Sequence, residues 1–380
     1  MTGAPMDRRE FVRVVGAAAL APLAGACAPP SESGDLPWPG YGDATVIDAL
    51  SGPIQFNIPQ QGLPLDEAAI EAVRSSGITA VNLTVNAQPS EGRSALEATD
   101  AKMAAWADQI AARPDVLRLV ESVEDVRDAK ETGRLGVIFG FQDGVPFEDD
   151  LERISAFHGR GLRIAQLTYN VGNRLGSGSL VPSDDGLTEL GREAVARLDE
   201  TRILVDLSHC GARTTLDGIE ASTRPVSITH SGCNAVYRHP RNKDDATLRR
   251  LADRGGVVGI YLMPFLNEAG PPSAEDVVAH IEHALSVCGE DHVGIGTDQG
   301  IVPLDVGGDF QQRFDEVSAM RSTAGIAAPR EDTVPYVPEL NHPRRLETIA
   351  TMLAARGHAS PVIEKILGDN FLRLFREVWA

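Results

Sequence analysis

From residue 41 to the C-terminus, short apolar runs rich in β-branched residues alternate with longer stretches whose apolar positions recur at helical spacing. Eight runs read as strands, at 45–49, 79–84, 136–141, 163–168, 203–208, 225–229, 256–262 and 292–297. Each is mostly apolar on both faces, the pattern of a strand covered on both sides in a parallel sheet. Helical patterns separate or follow them at 65–75, 96–112, 122–132, 149–158, 187–201, 212–222, 244–254 and 274–287. Eight βα units predict an α/β protein, a single (β/α)8 TIM barrel rather than an open doubly wound sheet. No glycine-rich phosphate fingerprint opens any of the helices. Extra helices are expected after the second strand and at 361–379, where Ile363, Ile366, Leu367, Phe371, Leu374 and Phe375 are spaced to pack on the barrel wall. A long insertion at 300–336, rich in Asp, Gly and Pro, follows the eighth strand and reads as a surface loop or as one wall of the site.

The first forty residues follow another pattern. Arg8 and Arg9 precede Phe11, an apolar run spans 14–23, and Ala24-Gly25-Ala26-Cys27 follows. A positive patch, a short apolar stretch and small residues make a secretory signal, and the run is too short for a membrane-spanning helix of about 20 residues. The paired arginines resemble a twin-arginine signal, which exports folded proteins. The expected organisation is an export signal at 1–27, a linker at 28–40 and the barrel at 41–380. Cleavage before Cys27 leaves either a lipid-anchored cysteine or a plain mature N-terminus, so the expected location is periplasmic or exported, with membrane contact only through a lipid on Cys27.

Charge narrows the partners. The chain has 380 residues with 35 Lys+Arg against 54 Asp+Glu, a formal net charge of −19. That balance argues against nucleic acid or an anionic membrane surface as a partner, because both need clustered Lys and Arg. Four cysteines are too few for a disulfide scaffold.

In a TIM barrel the chemistry gathers at the C-terminal ends of the strands. The polar residues there are Gln142 and Asp143 after strand three, Tyr169 and Asn170 after strand four, His209 after strand five, His230 after strand six and Asp298 after strand eight. Two imidazoles on neighbouring strands, with an acid nearby, suit a divalent metal such as zinc. The other seven histidines, among them His239, His280 and His292, sit in helices, turns or a strand's entry end and read as non-ligands. Cys210 and Cys233 lie near the same rim, either disulfide-bonded or as two separate buried thiols. A Gly/Ser-rich loop at 173–182 reads as a lid over the site, and Trp38 and Trp106 read as packing residues.

These residues resemble the membrane (renal) dipeptidase family of metal-dependent, amidohydrolase-type barrel enzymes. The matching stretches include Leu167-Thr-Tyr-Asn170, Leu204-Val-Asp-Leu-Ser-His209, Thr229-His-Ser231, His239-Pro-Arg-Asn242, His292-Val-Gly-Ile-Gly-Thr-Asp298 and Gly368-Asp-Asn-Phe-Leu-Arg-Leu-Phe375. The resemblance implies an eight-stranded barrel holding a pair of zinc ions between a strand-one His-x-Asp, a bridging Glu on strand three and one His each on strands five and six. It assigns His209 and His230 as metal ligands, Arg241 as the residue that takes the substrate carboxylate and Asp298 as the strand-eight acid. It also marks departures. Leu50 and Gly52 stand where the His-x-Asp is expected, Gln142 where the bridging Glu is, and Tyr169 where a strand-four His is.

The resemblance therefore implies one zinc rather than two, held by His209, His230 and Gln142 with water. Asp298 would act as general base, Tyr169 would bind the substrate and donate to the developing oxyanion, and Arg241 would pair with a carboxylate in bidentate fashion. The expected reaction is hydrolysis of an amide in a dipeptide or related small carboxylate-bearing molecule, by a monomer or a homodimer. Two alternatives stay open on the same fold: a non-catalytic periplasmic binding or maturation protein, and another metal-assisted reaction such as isomerisation or lactone opening.

Overall fold

The computed structural model describes residues 36–56, 62–89 and 92–380. The expected export signal, with Cys27, lies outside the described residues. Among the described residues nine strands are all parallel: β1 Ile47–Asp48, β2 Ala80–Thr84, β3 Leu117–Leu119, β4 Leu135–Phe141, β5 Leu162–Gln166, β6 Leu204–Asp206, β7 Ser227–Ser231, β8 Val257–Ile260 and β9 Val293–Ile295. Eight form the path β1-β2-β4-β5-β6-β7-β8-β9, and β3 pairs with β4 at its side. The ends of the path meet where Ala49 N–H donates to Ile295 O at 2.9 Å. Buried Asp48 clasps that seam, accepting from Thr297 N–H at 2.7 Å and Thr297 Oγ1 at 2.6 Å. The expected α/β TIM barrel is the observed one.

Three expectations about strands and insertion change. β3 is additional: three residues with Arg118 at the centre carry too short a signal to read as a strand. β7 begins at Ser227 rather than Pro225, because proline has no N–H for the ladder. The insertion after the last strand is not a plain loop but holds a helix, Phe310–Thr323, with Phe310 and Phe314 buried in a small cluster with Leu304.

The C-terminal helix Asn370–Trp379 does not lie along the barrel wall but crosses the N-terminal ends of the strands. Phe371 packs against Gly294, Arg373 Nη1 donates to Gly255 O at 3.1 Å, and Trp379 Nε1 donates to Arg163 O at 3.3 Å. Phe371 and Phe375 join Ile47, Ile138, Ile164 and Val257 in one apolar cluster. Burying two phenylalanines there stabilises by about 3–6 kcal/mol and closes that end, leaving the C-terminal ends of the strands as the open face. Trp38, within the expected linker, is buried, with its N–H donating to Thr351 Oγ1 at 3.0 Å. Among the described residues no helix is long and apolar enough to cross a membrane.

Candidate active site

The open end holds a cavity of about 580 Å³, within the usual range for a small-molecule site. Gln142, Tyr169, His209, Arg241 and Asp298 all line it. His230 is fully buried directly behind His209. Sequence reasoning thus named residues that the fold brings to one place.

A bulge in β7 sets the position of His230. The register of β7 on β8 shifts between Ile228 and Ser231, and the backbone of Thr229 swings toward the barrel axis. A Cβ at Gly259 would sit 2.0 Å from Thr229 O, and one at Gly296 only 1.9 Å from it. Both positions need glycine for this approach alone.

The two imidazoles meet Nε2 to Nε2 at 2.8 Å, with ring centroids 4.9 Å apart. Each Nδ1 has its own partner. His209 Nδ1 lies 2.6 Å from Asn170 Oδ1, which accepts. His230 Nδ1 lies 2.8 Å from Thr229 Oγ1, whose own proton goes to Asp206 Oδ2 at 2.8 Å. Asp206 also accepts from Ser208 Oγ at 2.7 Å and Thr229 N–H at 2.8 Å, which fixes it as the acceptor of the group. With both Nδ1 atoms donating, both Nε2 lone pairs face one point. Burial, the nearby Arg241 and, for His209, its partner ring hold both imidazoles well below their usual pKa, so they are neutral near pH 7. Partners at Nδ1 that free Nε2 are how metal-binding histidines are oriented.

A donor set of this kind fits one zinc-class ion in part. Two zinc–nitrogen bonds of about 2.0–2.1 Å at a tetrahedral angle separate their nitrogens by about 3.3 Å. The observed contact of 2.8 Å is shorter than that, so the ion needs the rings to part by about half an ångström. Among the described residues no three His, Cys, Asp or Glu side chains gather as a metal site. Gln142 lines the same cavity, with Nε2 donating to Thr84 Oγ1 at 2.7 Å, so its amide oxygen is the end that remains as a donor to a cation. Leu50 is buried in the apolar core, and Gly52 packs against Leu83 and Phe56. Neither side chain carries a ligand atom.

Tyr169 stacks on His209, centroids 4.2 Å apart and 23° from parallel. Its hydroxyl accepts from Arg321 Nη2 at 3.2 Å. Burial raises its pKa, against the nearby Arg321, so the O–H keeps its proton at neutral pH and has it free to donate. Arg241, 1% exposed, donates Nη1 to Ser208 O at 2.5 Å and lies over the Tyr261 ring at 5.9 Å. Its buried Nη2 has no hydrogen-bond partner among the described residues. A buried guanidinium nitrogen without an acceptor is costly, and Arg241 is among the residues that line the cavity. Asp298 adopts φ +55°, in the left-handed region that Asp tolerates better than most residues. Burial, with Glu331 and Asp48 adding to it against Arg241 and Arg321, lifts its carboxyl to about 7.

Several expectations about the surroundings change. The Gly/Ser-rich loop at 173–182 is not a lid: Ser179 N–H donates to His209 O at 2.7 Å, Asn173 Nδ2 to Asp143 Oδ1 at 2.9 Å, and no residue of the loop lines the cavity. The insertion after β9 lines it instead, through Phe314, Met320, Arg321, Glu331 and others. Asn170 Nδ2 donates to Ile326 O at 2.8 Å and His239 Nε2 to Pro329 O at 2.8 Å, tying that insertion across the barrel mouth. Trp106, expected only to pack, is a wall of the cavity. Cys210 and Cys233 are separate buried thiols, with Thr168 Oγ1 3.3 Å from Cys210 Sγ. Arg321, Glu331 and Lys102 were not singled out in the sequence, since nothing in helical or loop context marks which charged residue turns inward.

The profile of the family described as membrane dipeptidase, peptidase family M19, matches residues 52–321. An uncharacterised protein encoded in the pqqA 5′ region of Klebsiella pneumoniae is 30% identical over 275 residues, covering 69% of this chain and 89% of that protein. The dipeptidase tcpJ of Claviceps purpurea is 28% identical over 268 residues, and the match spans 56% of its length. Among solved structures, an amidohydrolase from Pseudomonas aeruginosa is 30% identical with a TM-score of 0.77, covering 89% of this chain and 98% of that one. A metallopeptidase from Rhodobacter sphaeroides, liganded with a phosphinate mimic of the dipeptide L-Ala-D-Ala, shares the fold at 20% identity and a TM-score of 0.70, covering 88% of this chain and 99% of that one.

Proposed function

Since the chain belongs to the membrane dipeptidase family, peptidase family M19, we propose that it hydrolyses an amide in a small carboxylate-bearing molecule, a dipeptide or a close relative. The observation that carries this reading is the pair of neutral imidazoles whose Nε2 atoms face each other at 2.8 Å beside a cavity that also holds Asp298 and Arg241. His209, His230 and the amide oxygen of Gln142 would hold one zinc, and Leu50 and Gly52 leave a second position without ligands. Bound zinc would bring the pKa of a water toward about 7 and polarise the scissile carbonyl.

The chain's own groups do the rest. Arg241 Nη2 meets the substrate carboxylate, which satisfies an otherwise orphaned buried donor. The Asp298 carboxylate takes a proton from the attacking water and returns it to the leaving amine. Tyr169 O–H, held by Arg321, donates to the carbonyl oxygen as charge develops there. The insertion after β9 walls the cavity against bulk water. Export through residues 1–27, a lipid or a plain cut at Cys27, and assembly as a monomer or homodimer complete the proposal.

A second reading, a binding protein on the same barrel, is favoured by the lack of a third His, Cys, Asp or Glu beside the imidazoles among the described residues. Metal content and hydrolysis of a dipeptide panel, measured together, separate the two. The hydrolase reading expects about one zinc per chain, with turnover lost in His209→Ala and Asp298→Asn. Turnover retained in both variants refutes the assigned roles, and dipeptide binding without metal or turnover selects the binding protein.

A further inference from the structure

Lys102 lines the cavity but has no part in the scheme above. Lys102 projects from the helix Ala95–Ala112, whose start is secured by a capping box between Ser94 and Glu97. It shares a face with Trp106, four residues on, and both line the cavity. Its Nζ donates to Asn86 O at 3.2 Å, while Asn86 Oδ1 accepts from Gln142 N–H at 2.8 Å. Lys102 therefore sits on the β2–β4 side of the mouth. No carboxylate among the described residues forms an ion pair with it, and burial holds its pKa down to about 8.

Arg241 stands on the other side. Its guanidinium is fixed between Ser208 O, just past β6, and the ring of Tyr261, just past β8. In the order β1-β2-β4-β5-β6-β7-β8-β9, those strands face β2 and β4 across the closed barrel. The third cation of the cavity, Arg321, already has Glu331 at 2.7 Å. The cavity thus has a lysine without an ion-pair partner on one wall and an orphaned guanidinium nitrogen on the other, with Trp106, Phe56 and Leu83 among its apolar lining. Arg241 is buried and Lys102 half-buried, and a cation held away from water without counter-charge is costly unless a ligand supplies it. The surrounding chain carries a net charge of −19, so two inward cations run against its overall sign.

We infer that Lys102 is a specificity-determining residue that holds a second anionic group of the substrate, on the acyl side of the amide, so that the molecule taken by this site carries two anionic groups, one at Arg241 and one at Lys102. This deepens the proposed hydrolase reading for the same cavity, but the charge preference holds whether or not the amide is cleaved.

The test uses the full chain and two isosteric pairs, L-Glu–L-Ala against L-Gln–L-Ala and L-Asp–L-Ala against L-Asn–L-Ala. Calorimetry reads binding and product release is followed separately. Wild-type protein is expected to bind the acidic member of each pair about tenfold or more tightly. In Lys102→Gln the ratio should fall to within about twofold of unity through loss on the acidic member, and Lys102→Arg should keep the preference. Equal or reversed preference in the wild type overturns the inference without any variant, as does a preference that survives Lys102→Gln. Preference without cleavage supports the role of Lys102 and overturns the hydrolase reading, whereas cleavage without preference does the reverse.

Discussion

Asp206 never touches the cavity, yet it decides which nitrogen of His230 carries the proton. Its Oδ2 accepts the Thr229 hydroxyl at 2.8 Å, which leaves Thr229 Oγ1 to accept from His230 Nδ1. Asp206→Asn changes this with almost no change of shape. The amide oxygen takes the place of Oδ1 and keeps the bonds from Ser208 Oγ at 2.7 Å and Thr229 N–H at 2.8 Å. The amide nitrogen takes the place of Oδ2 and donates to Thr229, whose hydroxyl proton then turns to His230 Nδ1. His230 is driven to its other tautomer, and Nε2–H points at His209 Nε2, a good hydrogen bond at 2.8 Å and a poor metal site. Loss of such an outer partner lowers metal affinity by about 10–100-fold, or about 1.4–2.7 kcal/mol. The metal-free protein should not lose stability, because the variant removes a carboxylate whose pKa burial already raises and gains an unstrained imidazole pair. Zinc affinity from competition with a chelator, thermal melting of the metal-free chain, and nitrogen-15 shifts of the two imidazoles check the three parts. Zinc affinity within about threefold of wild type, with His230 still protonated at Nδ1, would refute the relay.

Other expectations follow from the same site. The Asp298 carboxyl titrates at about 7 and must be ionised to accept a proton, so kcat/KM should rise with pH through about 7, and Asp298→Asn should lower it by at least about a hundredfold. The sign for stability is opposite. A carboxyl raised from 3.8 to about 7 contributes fully below 3.8 and loses its contribution as pH rises through 7, so Asp298→Asn should be more stable than wild type at pH 8, by up to about 4 kcal/mol; equal denaturation midpoints at pH 8 would contradict this. Arg241→Lys should raise KM for carboxylate substrates about tenfold or more with a smaller effect on an ester or amide analogue, since a point charge cannot replace the fork held by Ser208 O. Gly296→Ala places a Cβ 1.9 Å from Thr229 O, forces β7 outward, and should cost about 3 kcal/mol in urea unfolding together with zinc binding. Wild-type unfolding and zinc uptake in that variant would show that β7 does not bulge inward.

The barrel was legible because each strand is apolar on both faces and each following helix has its own period, signals that are local and repeated. His209, His230 and Asp298 were legible for the same reason: a polar residue ending an apolar run at a strand's C-terminal end has one place to go. β3 was not, because three residues centred on Arg118 carry too little pattern. The segments around the mouth were legible only in part. Glycine and serine at 173–182 look mobile in sequence, but Ser179 and Asn173 bind the barrel, while the polar, proline-rich insertion after β9 is held by Asn170 across 156 residues of chain and by His239 across 90.

What the amino-acid order determined by itself is the alternation of elements and the set of residues that end each strand, since both depend on neighbours within a few positions. Tertiary structure alone decided the rest. It turned two nitrogens of a residue pair 21 positions apart toward each other, set Thr229 against two glycines, and brought Lys102 inward from an otherwise ordinary amphipathic helix. Tautomer, burial of charge and close backbone approach depend on which surfaces are pressed together when the barrel closes, and no local window of sequence contains both surfaces.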